Sequence, residues 1–531
     1  MIIDRTKVFC RNNKRLLFIV ALAVLAAFSG FYLYMSNYKN YGATSSFLIL
    51  LTLVAVAGLI LGFLLYRYLE KKKGTDWALP RVFFLMLLLL GTCYSFVFTP
   101  FSVPDESYHY RATYAYSDIL LGKVTDDSVL VMRMDDNQVA EGIALNASQY
   151  ASEREHFQVF STNQETIEVP ADGYYSIASN LPQVRILSAL GLTLGQLVGL
   201  SGFLTFMLGR LFNFLGFALL VYAAVRITPL GKQVFMGCAL LPMTLHVAAS
   251  YSYDAVGIGL AFLLTALCLK AIYDPGLISK KLLIAIAITG ILLAPWKMIY
   301  ALLMGLVFLI PKERFVNPRQ SKYIKAAICF VVVAVLLLLK LTALTAITGI
   351  TSTGGDGLDH RGEETGTFYS LNDIISDPLS VAFLFVNTLF NQADFYYQTT
   401  IGGSLGWFQV GIASPWVLVA AFTILLLATV FISPADDKVL SLKRRLISLL
   451  IVVAGGVSVI MAMFMGWTFN SEAVIQGVQG RYFIPLLPLA LLVLRTSLIK
   501  FEVDPKELIP FSFMFLNLVY LGYIFAKAVV L

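Results

Sequence analysis

Three short stretches of the chain set reactive residue types side by side. Phe101-Ser102-Val103-Pro104-Asp105-Glu106-Ser107-Tyr108-His109-Tyr110-Arg111 places two adjacent carboxylates one helical turn before a histidine. Ser102 as N-cap, Pro104 in the first turn and Asp105 at the third helical position make an ordinary helix start, with acids at the positive end of the dipole. The same carboxylates beside His109 also suit a general base that takes a proton from a hydroxyl. Gln479-Gly480-Arg481-Tyr482 opens an apolar run, where a cation opposes the helix dipole and gains little unless an anion binds there. Lys297, in Pro295-Trp296-Lys297, is a second cation without an obvious local partner. An arginine fork and a lysine point charge together suit a phosphate. Asp254, after Ser252-Tyr253, starts a further apolar run, where capping and ligand binding are both open. Arg210 and Asn213 fall inside an apolar run, and a charge at that depth faces a cavity or a partner. His246 gives a weaker signal of the same kind.

A bilayer must position these groups. The chain has 531 residues, 58% hydrophobic and 13% charged, whereas soluble domains carry about 25% charged residues. Hydrocarbon about 30 Å thick needs about 20 apolar residues per helix, and such runs recur from Leu16 onward. The first, Leu16 to Met35, is too long for a signal peptide and reads as an uncleaved anchor. Thirteen spans are expected, at 16–35, 45–66, 80–99, 203–225, 234–250, 254–273, 281–295, 297–311, 323–345, 412–433, 445–467, 481–498 and 510–529. With these, every Lys/Arg cluster falls on one side, which the positive-inside rule makes cytoplasmic.

The N-terminus is then cytoplasmic, the C-terminus extracytoplasmic, and loops 100–181 and 350–411 lie outside. Those loops carry net charges of −9 and −6, leaving +22 for the remainder. No basic patch survives away from the membrane flanks, which argues against a nucleic-acid partner. Keeping this alternation makes Val184 to Leu200 a helix at the outer interface, and folds Lys281 to Ile310 into two short legs meeting at Lys297. Val124 to Glu168 reads as a small external subdomain, and Gly354 to Gly366 as a flexible loop that can act as a lid. The expected organisation is a two-helix anchor at 1–79, a catalytic core at 80–500 and a C-terminal helix at 501–531.

In order along the chain stand Pro104-Asp105-Glu106 with His109 and Arg111, Leu181-Pro182-Gln183, and Gly209-Arg210-Leu211-Phe212-Asn213. Leu241-Pro242-Met243 with Ser252-Tyr253-Asp254, Lys297, Leu405-Gly406-Trp407 and Gln479-Gly480-Arg481-Tyr482 follow. Over roughly residues 80–500 this series resembles a bacterial family of predicted membrane proteins, domain of unknown function 2142, within the GT-C glycosyltransferase superfamily. The resemblance implies an all-α polytopic GT-C-like bundle of about 13 transmembrane helices with a large external loop on its catalytic side. It also implies a membrane enzyme that uses a polyprenyl-phosphate-linked sugar donor, with an acid of the first external loop as base; Asp105 and Glu106 match. Two departures stand out: the long Val124 to Glu168 excursion, and Trp296 before Lys297, where a small residue is expected.

The resulting expectation is inverting transfer of a sugar to a cell-envelope glycan or lipid acceptor on the extracytoplasmic face of a bacterial membrane. Asp105 serves as base and Glu106 orients it, while Arg481 and Lys297 hold the phosphate. His109, Arg111, Arg210, Asp254 and Tyr482 line the substrate site. Asp105, Glu106 and His109 form no convincing ligand set for a divalent metal, so no cofactor is expected. The alternative is a lipid-linked glycan flippase, a class that commonly shows inverted repeats and broken helices at the midplane.

Overall fold

The computed structural model describes residues 13–41, 46–124, 126–141, 158–175, 181–348, 359–361, 364–406, 412–434, 436–501 and 505–530. Most of the chain is helical, because in hydrocarbon the backbone N–H and C=O groups must be satisfied within their own segment. Helices α1 (Lys14–Tyr41) and α2 (Ser46–Lys73) pack on each other, and α3 (Thr75–Val97) leads into the central bundle. After α4 (Glu106–Leu121), β1 (Val129–Arg133) and β2 (Thr166–Pro170) form an antiparallel pair, with a short helix over Met134–Glu141 following β1. Then come α5 (Ile186–Val198), α6 (Gly202–Ile227), the short α7 (Lys232–Ala239) and α8 (Pro242–Ala248), and α9 (Asp254–Tyr273). Next are α10 (Lys280–Leu293), a 3₁₀ helix over Met298–Leu309, α11 (Ser321–Thr348), α12 (Pro378–Ile401) and α13 (Trp416–Ala428). Strand β3 (Phe431–Ile432), α14 (Leu442–Trp467), a 3₁₀ helix over Gly480–Leu486, α15 (Leu487–Leu494), β4 (Thr496–Lys500) and α16 (Leu508–Val530) complete the fold.

Among the described residues eight helices are long and apolar enough to cross a membrane: α1, α2, α3, α6, α9, α11, α14 and α16. The chain is thus an all-α polytopic membrane protein. The other five expected spans are shorter or broken. Segment 234–250 splits into α7 and α8 because Pro242 has no N–H to continue the helix. Segment 481–498 holds Pro485 and Pro488 and becomes a 3₁₀ turn followed by eight residues of α15. The 281–295 and 297–311 legs are α10 and the 3₁₀ helix, joined at Lys297 as expected.

Two further features stand out. Helix α5, expected as an interfacial helix, doubles back along α6. Gly191 and Gly195 permit that approach, since a Cβ at Gly191 would stand 2.6 Å from the Leu208 carbonyl oxygen. Within 350–411, read as a loop, the structure contains the 24-residue helix α12. Asn387, Asn391, Asp394 and Gln398 break its hydropathy, yet Leu379, Phe383, Val386 and Phe390 form one exposed apolar stripe. Residues 142–157 of the excursion, and 354–358 and 362–363 within Gly354 to Gly366, lie outside the described residues.

The bundle has two chemically different ends. At one, Arg495 pairs with Asp436 at 3.1 Å, Asp436 accepts from the Gly231 N–H, and Lys232 meets Asp76. Strands β3 and β4 pair in parallel there, and Arg15 reaches Glu507. At the other end stand Asp105, Asp254, Lys297 and Arg481. Helix α9 runs through the centre and is almost wholly buried, whereas most of α11 over Ser321–Leu339 is exposed at the periphery. Helices α1, α2 and α16 pack together at the side, so the predicted N-terminal anchor and C-terminal helix form one unit.

Candidate active site

The site begins with an ion pair that has no access to solvent. Arg210 and Glu106 are both fully buried. Glu106 Oε1 accepts from Arg210 Nε at 2.8 Å and from the Tyr251 N–H at 3.1 Å. Its Oε2 accepts from Arg210 Nη2 at 2.6 Å and from the Phe101 N–H at 3.0 Å. Arg210 also donates to the carbonyls of Ser95, Phe98 and Thr99 at the end of α3. One turn further along α6, Asn213 donates to the carbonyls of Ser250 and Ser252. Arg210 and Asn213 therefore tie together the end of α3, the start of α4 and the turn before α9. Glu106 has four donors on its two oxygens and no exposed side-chain surface, so its carboxylate is taken up entirely by bonds within the protein.

Its neighbour Asp105 has the opposite surroundings. Helix α4 begins at Glu106, with Asp105 as N-cap at φ 64° and making no side-chain cap, rather than at Ser102 as the sequence suggests. Phe101 also has positive φ, at 61°. Two non-glycine residues in the left-handed region within five positions are strained, a feature that concentrates at functional sites. The strain turns the Asp105 carboxylate outward. It is half exposed and accepts from Arg481 Nη2 at 2.9 Å.

Lys297 and Arg481, 184 positions apart in sequence, converge. What they share is a carboxylate of the protein itself. Lys297 Nζ stands 2.8 Å from Asp254 Oδ1, and Arg481 Nε 3.8 Å from Asp254 Oδ2. Asp254 therefore does not cap α9; its own N–H donates to Ser252 Oγ. Tyr482 lies beneath Lys297, 4.2 Å from the ammonium to the ring centre, and its carbonyl accepts from the Tyr300 hydroxyl. Gly480 is needed because α12 crosses it: a Cβ there would meet the Tyr396 carbonyl at 2.1 Å. Trp296, unexpectedly large at its position, is accommodated by Gly257, where a Cβ would fall 2.3 Å from the indole ring.

His109 packs edge-on against Tyr253, ring centres 4.5 Å apart. Burial, then the charges of Arg185, Arg481 and Lys297, hold its pKa well below the ordinary histidine value. It is neutral and serves as a wall of the site. Arg111 is half-buried and influences Tyr110 and Tyr174, away from the cluster. His246 Nε2 accepts from the Gly406 N–H, and its ring lines a small void with Pro104, Gln479 and Arg481. Trp407 lies outside the described residues.

Two groups escaped the sequence reading. Tyr253 is the common wall, with Lys297 Nζ 5.4 Å and Arg185 Cζ 5.6 Å from its ring centre. Arg185 is 2% exposed, and its position just ahead of an apolar run was the available signal. A profile of the family described as "Predicted membrane protein (DUF2142)" matches residues 88–490. Neither a curated protein nor a solved structure matches the chain.

Proposed function

The chain belongs to the DUF2142 family of predicted membrane proteins, and from that premise and the geometry of the outer cluster we propose an inverting membrane glycosyltransferase. Its donor is a polyprenyl-phosphate-linked sugar and its acceptor a hydroxyl of a cell-envelope glycan or lipid. Asp105 takes the proton from that hydroxyl as its oxygen attacks the anomeric carbon. The bond from that carbon to the phosphate oxygen breaks, and polyprenyl phosphate leaves with the electron pair. The observation that carries this reading is the pairing of Asp105 with Arg481. A half-exposed carboxylate is held by a buried cation, beside a second, largely buried cation at Asp254. Cations fixed at a low-dielectric edge stabilise the negative charge that builds on the leaving phosphate.

In this reading the bundle is GT-C-like, with the short and broken segments counted among about 13 crossings. The end with Asp436 and Arg495 is cytoplasmic, the Asp105 end extracytoplasmic in a bacterial cell membrane, and the C-terminus on that outer side. Support comes from the two-ended segregation of charge and from the basic clusters flanking the spans. The apolar stripe of α12 faces lipid beside the 3₁₀ helix that carries Arg481.

Purified protein in detergent, given a short-chain polyprenyl-phosphate sugar and a hydroxyl acceptor, should release polyprenyl phosphate without any gradient. A protein that moves the lipid across vesicles and releases none is a flippase, and this reading then fails.

A further inference from the structure

The outer cluster holds three buried or largely buried cations against two carboxylates. Lys297 has Asp254 at 2.8 Å and Arg481 has Asp105 at 2.9 Å. Arg185 has neither: its Nε and Nη1 are buried without a hydrogen-bond partner among the described residues. A guanidinium is always charged and presents five N–H donors, so leaving three of them unmet in a buried position, one on Nε and two on Nη1, is unfavourable unless a ligand completes the site. The location suits an anion for a second reason. Arg185 is the N-cap of the 13-residue helix α5, so the positive end of that helix dipole lies beside it. Arg185 and Lys297 both lie within 6 Å of the Tyr253 ring centre, and the charges of Arg185, Arg481 and Lys297 all act on the buried His109. Arg481 also leaves its Nε without a hydrogen bond, at 3.8 Å from Asp254.

We propose that Arg185 anchors the donor phosphate and that the site takes a singly charged phosphodiester rather than a diphosphate. Lys297 and Arg481 are already balanced by Asp254 and Asp105, and Glu106 and Arg210 balance each other. With His109 neutral, one positive charge remains, and one negative charge matches it. A sugar joined to a lipid through one phosphate carries one charge; through two phosphates it carries at least two. After transfer the leaving phosphate monoester gains charge, and in this proposal Lys297 and Arg481 meet it. This inference rests on the lipid-phosphate reading of the site.

The test is binding by the full chain in detergent, followed through Trp296, which stacks on Tyr300 beside Lys297. The probes are farnesyl methyl phosphate, farnesyl diphosphate and farnesol. The wild-type protein should bind the diester more tightly than the diphosphate or the alcohol. Arg185→Met should weaken diester binding about ten- to a hundredfold, with a thermal midpoint in the empty state no lower than wild type. Unchanged diester affinity in Arg185→Met overturns the role of Arg185 while leaving the lipid-phosphate reading intact. A lowered midpoint with unchanged affinity marks a structural arginine, with the same consequence. Should Arg185→Met fail to accumulate, Arg185→Lys keeps the charge and loses the fork; weaker diester binding supports the anchor and equal binding overturns it. Tighter binding of the diphosphate overturns the charge match. A wild-type protein that binds the diester no better than farnesol removes the phosphate site altogether, and with it both readings.

Discussion

Asp105 and Glu106 are neighbours in sequence and opposites in environment. Glu106 is fully buried and takes four hydrogen bonds from Arg210 and two backbone amides. Asp105 is half exposed, holds one bond to Arg481, and stands in a left-handed backbone conformation. The first environment is saturated and leaves nothing for a substrate to gain. The second is incomplete, with unmet donors on Arg185 and Arg481 and a carboxylate open to solvent. Saturation fixes the loops; incompleteness is what a ligand can use. The division of labour between a rigid inner bracket and an outer cluster follows from that contrast.

The largest expected effect breaks the inner bracket. Arg210→Met leaves a buried, uncompensated carboxylate and should cost about 3–5 kcal/mol, with loss of folded protein read by size-exclusion yield and thermal midpoint. The double variant Glu106→Gln with Arg210→Met removes both charges and should recover part of that loss. If Arg210→Met folds normally, the bracket is not what holds the α3 end to the α9 turn.

Removing a cation from the outer cluster should act on chemistry more than on folding. Lys297→Met leaves Asp254 with Arg481 nearby at 3.8 Å, and transfer should fall about 10²- to 10³-fold. The check is single-turnover transfer on protein with a wild-type elution profile; near-normal transfer would remove Lys297 from the site.

Smaller effects sharpen the contrast at its edges. Gly257→Ala drives a methyl into Trp296 and should cost about 1–3 kcal/mol, the range for overpacking, with donor binding weakened through the displaced Lys297 turn. His109 has a folded pKa below its unfolded value, so the unfolded chain takes up a proton that the folded chain refuses. Its contribution is flat above about pH 6.5 and stability falls below it, by about 1.4 kcal/mol per pH unit. Asp118, raised by burial to about 6, acts in the opposite direction as pH falls through that value. The difference between wild type and His109→Phe therefore isolates the histidine, and parallel stability profiles from pH 7.5 to 5.5 would contradict its being buried neutral.

Much of this contrast was legible in the sequence, though not its assignment. Lys/Arg placement and apolar run length located the eight long helices and the Lys297 turn, because both signals are local and periodic. Hydropathy could not distinguish full helices from the proline-broken α7–α8 and α15 segments, since proline disrupts hydrogen bonding without lowering apolarity. Nor did it find α12, whose amides and acid dilute a stripe that only a helix gathers on one side. At the site, the reactive residues could be named but not their pairings. Asp254 serves Lys297 and Glu106 serves Arg210 across 43 and 104 positions, and such long-range partners leave no mark in a single sequence. Arg185 was hidden in the same way, because it is the N-cap of an apolar helix whose own residues dominate the local pattern.

The central claim is that the open carboxylate does the chemistry, and Asp105→Asn tests it most directly. Asparagine keeps the size and the contact to Arg481 while losing the ability to accept a proton. Donor binding and sugar transfer should be measured separately on the same purified preparation. The account predicts folded protein, retained binding of the polyprenyl-phosphate sugar, and transfer reduced about 10²- to 10⁴-fold. Near-normal turnover by Asp105→Asn would contradict it and leave Asp105 as no more than the residue before a helix.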